Sequence, residues 1–262
     1  MEPSAGQLIL VATPIGNLDD ITLRALHVLK TADIIAAEDT RRARILCSKF
    51  DIHTKLVAHH AHNEHRTADR ILDQVENGKT VVVLSDAGTP AIADPGFFIV
   101  RAAYDRGIVP TVIPGVSALT FAVVACGLPV DRFAFLGFPP VKSGRRETFL
   151  TEAADLKMTV FIYEAPHRIT KLLTGIHEVM GPQTPVALIR EATKLHEECL
   201  RGTVGELLAE HADRQWRGEC VVAVNTREAM SRSPAGNGDR QTRTSKYSAK
   251  SRAASVPAPR EP

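Results

Sequence analysis

Five short clusters carry the residue types that could do chemistry in this chain. They are Ala-Thr-Pro-Ile-Gly-Asn-Leu at 12–18, Ala-Glu-Asp-Thr-Arg at 37–41, Leu-Ser-Asp-Ala-Gly-Thr-Pro-Ala-Ile-Ala-Asp-Pro-Gly at 84–96, Ile-Pro-Gly-Val-Ser-Ala at 113–118 and Tyr-Glu-Ala-Pro-His-Arg at 163–168. In each, a β-favouring run ends in small, polar or charged residues. The third says most: Val81, Val82, Val83 and Leu84 run into a loop with two Gly, two Pro and two Asp. Such a loop places backbone N–H groups at the carboxyl edge of a sheet, where open α/β folds bind ligands. Helix N-termini at the fourth and fifth clusters suit carboxylates and phosphates. None of the five is a Gly-x-Gly-x-x-Gly turn or a Walker loop, which disfavours a dinucleotide or a nucleoside triphosphate.

Proton transfer needs acids and bases, and Glu38, Asp39, His62, Glu164, His167 and Lys194 supply them. Arg41, Arg168 and Arg190 carry the guanidinium fork that grips phosphates. His59, His60, His62 and His65 crowd together, but no matching carboxylate-plus-His spacing follows, so no metal centre is expected. Taken singly, each cluster is also an ordinary capped turn or helix start.

The elements that must position these clusters alternate. Apolar runs predict strands over 8–12, 33–37, 80–84, 110–113, 133–136, 159–163, 186–189, 199–202 and 220–224. Amphipathic spacing predicts helices over 22–30, 41–49, 66–76, 96–105, 117–126, 145–153, 168–180 and 204–211. The clearest is 168–180, where Ile169, Leu172, Leu173, Ile176, Val179 and Met180 share one face. The pattern argues an α/β fold with a largely parallel first half. Strands near Val186 and Cys199 with no helix between them argue a mixed sheet in the second half. The expected division is an N-terminal α/β domain over 1–118, a C-terminal α/β domain over 119–228 and a disordered basic tail over 229–262.

Charge supports that division. The tail holds seven Lys/Arg against two acids, so a chain of formal charge +2 has a body at −3. Ser, Arg, Ala, Pro and Gly dominate the tail, a composition that does not build a core. The longest apolar stretches are too short to span a bilayer, and the N-terminus lacks the order of a signal peptide. Cys47, Cys126, Cys199 and Cys220 are scattered without a C-x-x-C, so neither a disulfide framework nor a zinc knuckle is expected and a reducing cytoplasm fits best.

Read in order, the residues carry a resemblance. The segments at 13–26 (Thr-Pro-Ile-Gly-Asn-Leu-Asp-Asp-Ile-Thr-Leu-Arg-Ala-Leu), 37–41, 60–64 (His-x-His-Asn-Glu), 85–96, 164–168 and 190–198 (Arg-Glu-x-Thr-Lys-Leu-His-Glu-Glu) together resemble the ribosomal RNA small subunit methyltransferase I branch of the tetrapyrrole methylase superfamily. The match spans 7–225; Ala61, Val116 and Ala165 depart from it. The resemblance implies two α/β domains with S-adenosylmethionine (SAM) in the cleft between them, usually in a homodimer. It implies methylation of the ribose 2′-hydroxyl of a cytidine in the decoding region of 16S rRNA, in the cytoplasm and with no metal, and the −3 body adds the expectation that the assembled 30S subunit is the substrate. It also assigns roles. Pro14, Gly88, Thr89, Pro90, Ile92, Ser117, Ala118 and Tyr163 fall on the SAM site. Asp39, Arg41, His62, Asn63, His167, Arg168 and Arg190 fall on the RNA side. Glu38, Glu164 and Lys194 are the catalytic candidates. Two other readings stay open: a C-methylating enzyme of tetrapyrrole synthesis, against which Thr89 speaks because many such enzymes carry Asp there, and a non-enzymatic SAM- or nucleotide-sensing module.

Overall fold

The protein is described by a computed structural model over residues 6–59, 64–94 and 96–229. The first sheet is built from β1 (Gln7–Val11), β2 (Ile34–Ala37), β3 (Lys55–Ala58), β4 (Thr80–Leu84) and β5 (Thr111–Ile113). Its order is β3-β2-β4-β1-β5 and every pairing is parallel. A parallel sheet must be covered on both faces, and the strand sequences provide for it by alternation. Ile9, Val11, Ile35, Val82 and Leu84 face α1 (Leu23–Thr31) and α2 (Thr40–Lys49). Leu8, Ile34, Ala36, Val81 and Val83 face α3 (Glu64–Glu76) and α4 (Phe97–Asp105). Because every connection is a crossover, the carboxyl ends of β1, β2, β4 and β5 lie along one edge with their loops together.

The second sheet runs β6-β7-β10-β8-β9, from β6 (Phe133–Gly137), β7 (Thr159–Glu164), β8 (Pro185–Arg190), β9 (Glu198–Thr203) and β10 (Cys220–Asn225). Only β6–β7 is parallel; the other three pairings are antiparallel, as the sequence spacing implied. One face carries Val160, Ile162, Leu188 and Val222 against α6 (Ser143–Asp155), α7 (Ile169–Met180) and α8 (Val204–Glu210). The other carries Phe161, Ala187, Ile189 and Ala223 against α5 (Ala118–Ala125). The helix that opens at Ser117 thus packs on the second sheet while its cap belongs to a loop of the first.

The helix starts follow local chemistry. Thr22, Asp39 and Ser117 each accept a hydrogen bond from a first-turn N–H, and Thr203 with Glu206 forms a full capping box. Among the strands and α-helices described, two escaped the sequence pattern. The edge strand β3 has only four residues, with Leu56 and Val57 half-buried and both ends exposed, too few for a period to register. The four-residue α9 (Thr226–Ala229) follows β10 directly. The tail from 230 onward lies outside the described residues. No helix among them is long and apolar enough to cross a membrane.

The predicted face of α7 is the buried one: Ile169, Leu172, Leu173, Ile176 and Met180 are all in the core. Leu172→Ala removes a side chain with no exposure and should cost about 2–5 kcal/mol of stability, read as a lower midpoint in urea unfolding.

Candidate functional site

The loops after β1, β4 and β5 are stitched to one another. Thr13 and Gly88 form an isolated antiparallel bridge at the edge of a parallel sheet, with N–H to O distances of 2.8 and 2.9 Å. The Thr13 hydroxyl donates to the Ser85 carbonyl at 3.2 Å, the Ser85 hydroxyl to the Gly88 carbonyl at 2.9 Å, and the Thr89 hydroxyl to the Val116 carbonyl at 3.3 Å. Gly88 has φ +84°, and a Cβ there would lie 3.3 Å from Ile15 Cγ2, so the turn needs glycine. Ala91 and Ala93, three and five residues on, hold φ of 69° and 60°. Left-handed non-glycine residues cost on the order of 1–3 kcal/mol each and gather at functional sites.

The second sheet closes the site. Between its β7 and β10 ends and the Gly88 loop lies a cavity of about 360 Å³, within the range of small-ligand pockets. Its apolar walls come from Ile15, Ile92, Phe138, Ile189 and Val221; its polar groups from Thr89, Asp94, Ser117, Tyr163, Glu164 and Glu219. Burial raises the Tyr163 phenol above its usual pKa, outweighing hydrogen bonds with the Ser117 side chain and the Leu119 backbone that act the other way. Phe135 and Phe138 stack edge-on to Tyr163 at 4.7 and 5.7 Å.

A second contact joins the two halves. The Asn17 N–H donates to Thr193 Oγ1 at 3.0 Å, and a Cβ on Gly16 would lie 2.4 Å from Lys194 Cγ, so only glycine admits that approach. Glu191 and Thr193 hold φ of 52° and 65°. Four of the six left-handed non-glycine residues described thus sit in the two loops flanking the cavity. Lys194 Nζ bridges Glu191 at 2.9 Å and Glu219 at 3.1 Å. Burial works to lower its pKa, but the two carboxylates outweigh burial and raise it, so Lys194 is a cation rather than a base.

Asp94 is the perturbed acid of the cavity. Burial pushes its carboxyl up to about 6, the like charges of Glu38, Asp86 and Glu219 add to the shift, and Arg42 opposes it. Asp39 goes the other way, to about 2, because Arg41 hydrogen-bonds and ion-pairs its carboxylate. Cys220, in the cavity wall, is pushed up to about 12 by burial, which leaves an unreactive thiol.

Gly88, Thr89, Ile92, Ser117, Ala118, Tyr163 and Glu164 all line the larger cavity. Pro90 is buried in the same loop, while Pro14 and Asp39 line a smaller cavity next to it. Glu38 precedes Asp39 and is half-buried. Glu164 is 2% exposed and committed to Arg168, whose Nη2 donates to it at 2.9 Å and to the Pro139 carbonyl at 2.8 Å. Arg190 is also turned inward, donating to Glu198 and to the carbonyls of Arg217 and His196. Arg41 and His167 are exposed; His62 and Asn63 lie outside the described residues. Asp94, Asp86, Glu191 and Glu219 were missed. The repeated Asp in the 85–96 loop was the available signal, but Asp-Pro-Gly reads as turn chemistry alone.

Comparison with known proteins places this arrangement. The family described as Tetrapyrrole (Corrin/Porphyrin) Methylases matches residues 7–208. The ribosomal RNA small subunit methyltransferase I of Xylella fastidiosa is 45% identical over 221 residues, covering 84% of this chain and 81% of that protein. The protein of that name from Halalkalibacterium halodurans is 43% identical over 226 residues, covering 86% and 78%. Among solved structures, uroporphyrin-III C-methyltransferase from Thermus thermophilus, complexed with S-adenosylhomocysteine, superposes with a TM-score of 0.60 over 86% of this chain and all of that one. At 19% identity that likeness is one of fold.

The Asp94 carboxyl should titrate near pH 6 by carbon-detected NMR. Glu219→Gln, which removes one of its like-charged neighbours, should move that titration down.

Proposed function

Because the chain belongs to the tetrapyrrole methylase family, and within it groups with the ribosomal RNA small subunit methyltransferase I proteins, we propose that it is a SAM-dependent methyltransferase of small-subunit rRNA that acts on the ribose 2′-hydroxyl of a cytidine in the 30S particle. The observation that carries the reading is the 360 Å³ cavity at the joined loop ends, lined by six of the eight residues the family pattern assigns to SAM. The residues suit that ligand. SAM has a flat adenosine and a positively charged sulfonium and amine. The cavity offers apolar walls on one hand and, on the other, a half-buried Asp94 raised to about 6, an acid whose ionised form gains from a neighbouring cation. Gly88, Thr89, Ile92, Ser117, Ala118 and Tyr163 would hold it.

When bound, SAM supplies a methyl group already activated by its sulfonium. The chain's task is then to align the acceptor oxygen in line with that methyl and to keep water out. Orientation of this kind supplies on the order of 7–11 kcal/mol. The acceptor hydroxyl also needs a proton acceptor. We assign that role to Glu38, the half-buried carboxylate at the β2 end, whose charge reaches Asp94 in the cavity wall. Glu164 and Lys194 are spent in ion pairs. We give them a positioning role: Glu164 fixes Arg168 beneath the cavity, and Lys194 holds the Glu191–Glu219 wall. His62, Asn63, Arg41 and His167 form the RNA-facing set, and the two lobes, 1–118 and 119–228, share the work as donor-loop carrier and closing wall. The protein works in the cytoplasm as a homodimer.

A body at −3 offers no general attraction for a polyanion. Recognition therefore falls to local arginines and to the shape of an assembled particle. With methyl-labelled SAM, 30S subunits lacking the modification should take label on a ribose of 16S rRNA. Naked 16S rRNA should take at least about tenfold less. Equal labelling of both would overturn particle recognition, and donor binding with no label anywhere would favour a sensor.

SAM affinity should fall as pH drops through about 6. Asp94 carries its charge above that value, where a cationic ligand is stabilised, and loses it below. Calorimetry across pH 5–8 checks this, with Asp94→Asn expected to flatten the dependence.

A further inference from the structure

A second cavity, of about 160 Å³, opens at the same carboxyl edge, and of the residues assigned to the methyl donor only Pro14 lines it. It backs directly onto the first. Pro14 lines the smaller cavity and Ile15 the larger; Ser85 and Asp86 line the smaller, Ala87 and Gly88 the larger. A group seated in one is separated from the other by the thickness of a single loop.

Size and chemistry restrict what fits. The volume lies below the roughly 300 Å³ at which pockets for whole small molecules begin, so it suits one ring. Leu18, Leu46 and Leu84 give it apolar walls, and Ile45, 62% exposed at the rim, extends that surface outward. Thr13 and Ser85 spend their hydroxyls on backbone carbonyls, Arg42 brings a cation to the same wall, and the acceptor that faces the slot is the Asp86 carboxylate. Oδ1 accepts the Asp39 N–H at 2.8 Å, which fixes the group. Oδ2 has Arg42 at 3.8 Å, beyond hydrogen-bond reach, and retains acceptor capacity. Asp39 itself is held by Arg41 and by the start of α2.

A fixed carboxylate facing a ring-sized apolar slot selects a ring that donates from an exocyclic amine. Among nucleobases, the purines are two rings wide and uracil has no amine; cytosine has one ring and an N4 donor pair, the group that Asp and Glu read in nucleic acids. We propose that the smaller cavity seats the cytosine ring of the nucleotide being methylated, with Asp86 accepting from its amine. The assignment rests on the methyl-transfer reading above and adds to it the residue that selects the base.

The test uses methyl-labelled SAM and two preparations of 30S subunits: the natural one, and one reconstituted with uridine at the position the wild type labels. Wild-type protein should favour cytidine by about tenfold or more in kcat/KM. Asp86→Asn, whose amide both donates and accepts, should bring the ratio close to one while SAM binding, read by calorimetry, persists. Three results would overturn the assignment: equal labelling of both particles by the wild type, an unchanged preference in Asp86→Asn, or loss of SAM binding in that variant. The first requires no altered protein. If the wild type labels neither particle, the methyl-transfer reading itself falls and the base pocket with it.

Discussion

The Thr13–Gly88 bridge is the constraint from which the site follows. Two loops leaving neighbouring parallel strands are clamped by a pair of backbone hydrogen bonds, with the Thr13 hydroxyl on the Ser85 carbonyl and the Ser85 hydroxyl adding a second bond to the Gly88 carbonyl. The clamp fixes the turn at Gly88 and therefore where Thr89, Ile92 and Asp94 emerge. It also makes the partition between two cavities, since each loop turns one residue pair to one side and the next to the other. Strain at Ala91, Ala93, Glu191 and Thr193 is tolerated because the surrounding hydrogen bonds leave those loops no relaxed alternative.

Electrostatics sorts the charged residues into two groups. Glu164, Glu191, Glu198 and Asp39 each have a cation within ion-pair distance. Those pairs brace loops and lock arginines, and they withdraw Arg168, Arg190 and Lys194 from open contact with a polyanion. Asp94 has no such partner among the ion pairs described, and three acids surround it. A site where a half-buried acid is crowded by like charges beside an apolar cavity is suited to a ligand that brings positive charge. This is the electrostatic complement of a sulfonium donor.

The shared fold does not choose the acceptor. A porphyrin-methylating enzyme of Thermus thermophilus superposes on this chain at 19% identity, so two very different acceptors can be served by one pair of sheets. Sequence likeness to the small-subunit rRNA enzymes, at 43–45% over most of the chain, carries the choice of substrate.

Much of this was legible in the residues themselves. Strand alternation, the periodicity of α7 and the order of the loop motifs depend on local spacing, so nine strands, eight helices and the parallel-then-mixed sheets could be read from the chain. Most of the predicted SAM-site residues line one cavity because they lie at strand ends, and a parallel sheet brings all its carboxyl ends to one edge. The four-residue β3 escaped because its stability comes from pairing with β2 rather than from its own pattern. The sequence by itself determined the architecture, the ligand edge and the inventory of acids, bases and arginines. Only the tertiary structure decided how those charges are paired and perturbed. The hold of the Pro139 carbonyl on Arg168, the bridge from Lys194 to Glu219 and the crowding of Asp94 by Glu38 and Glu219 join residues distant in the chain, and charge state depends on such neighbours rather than on residue type.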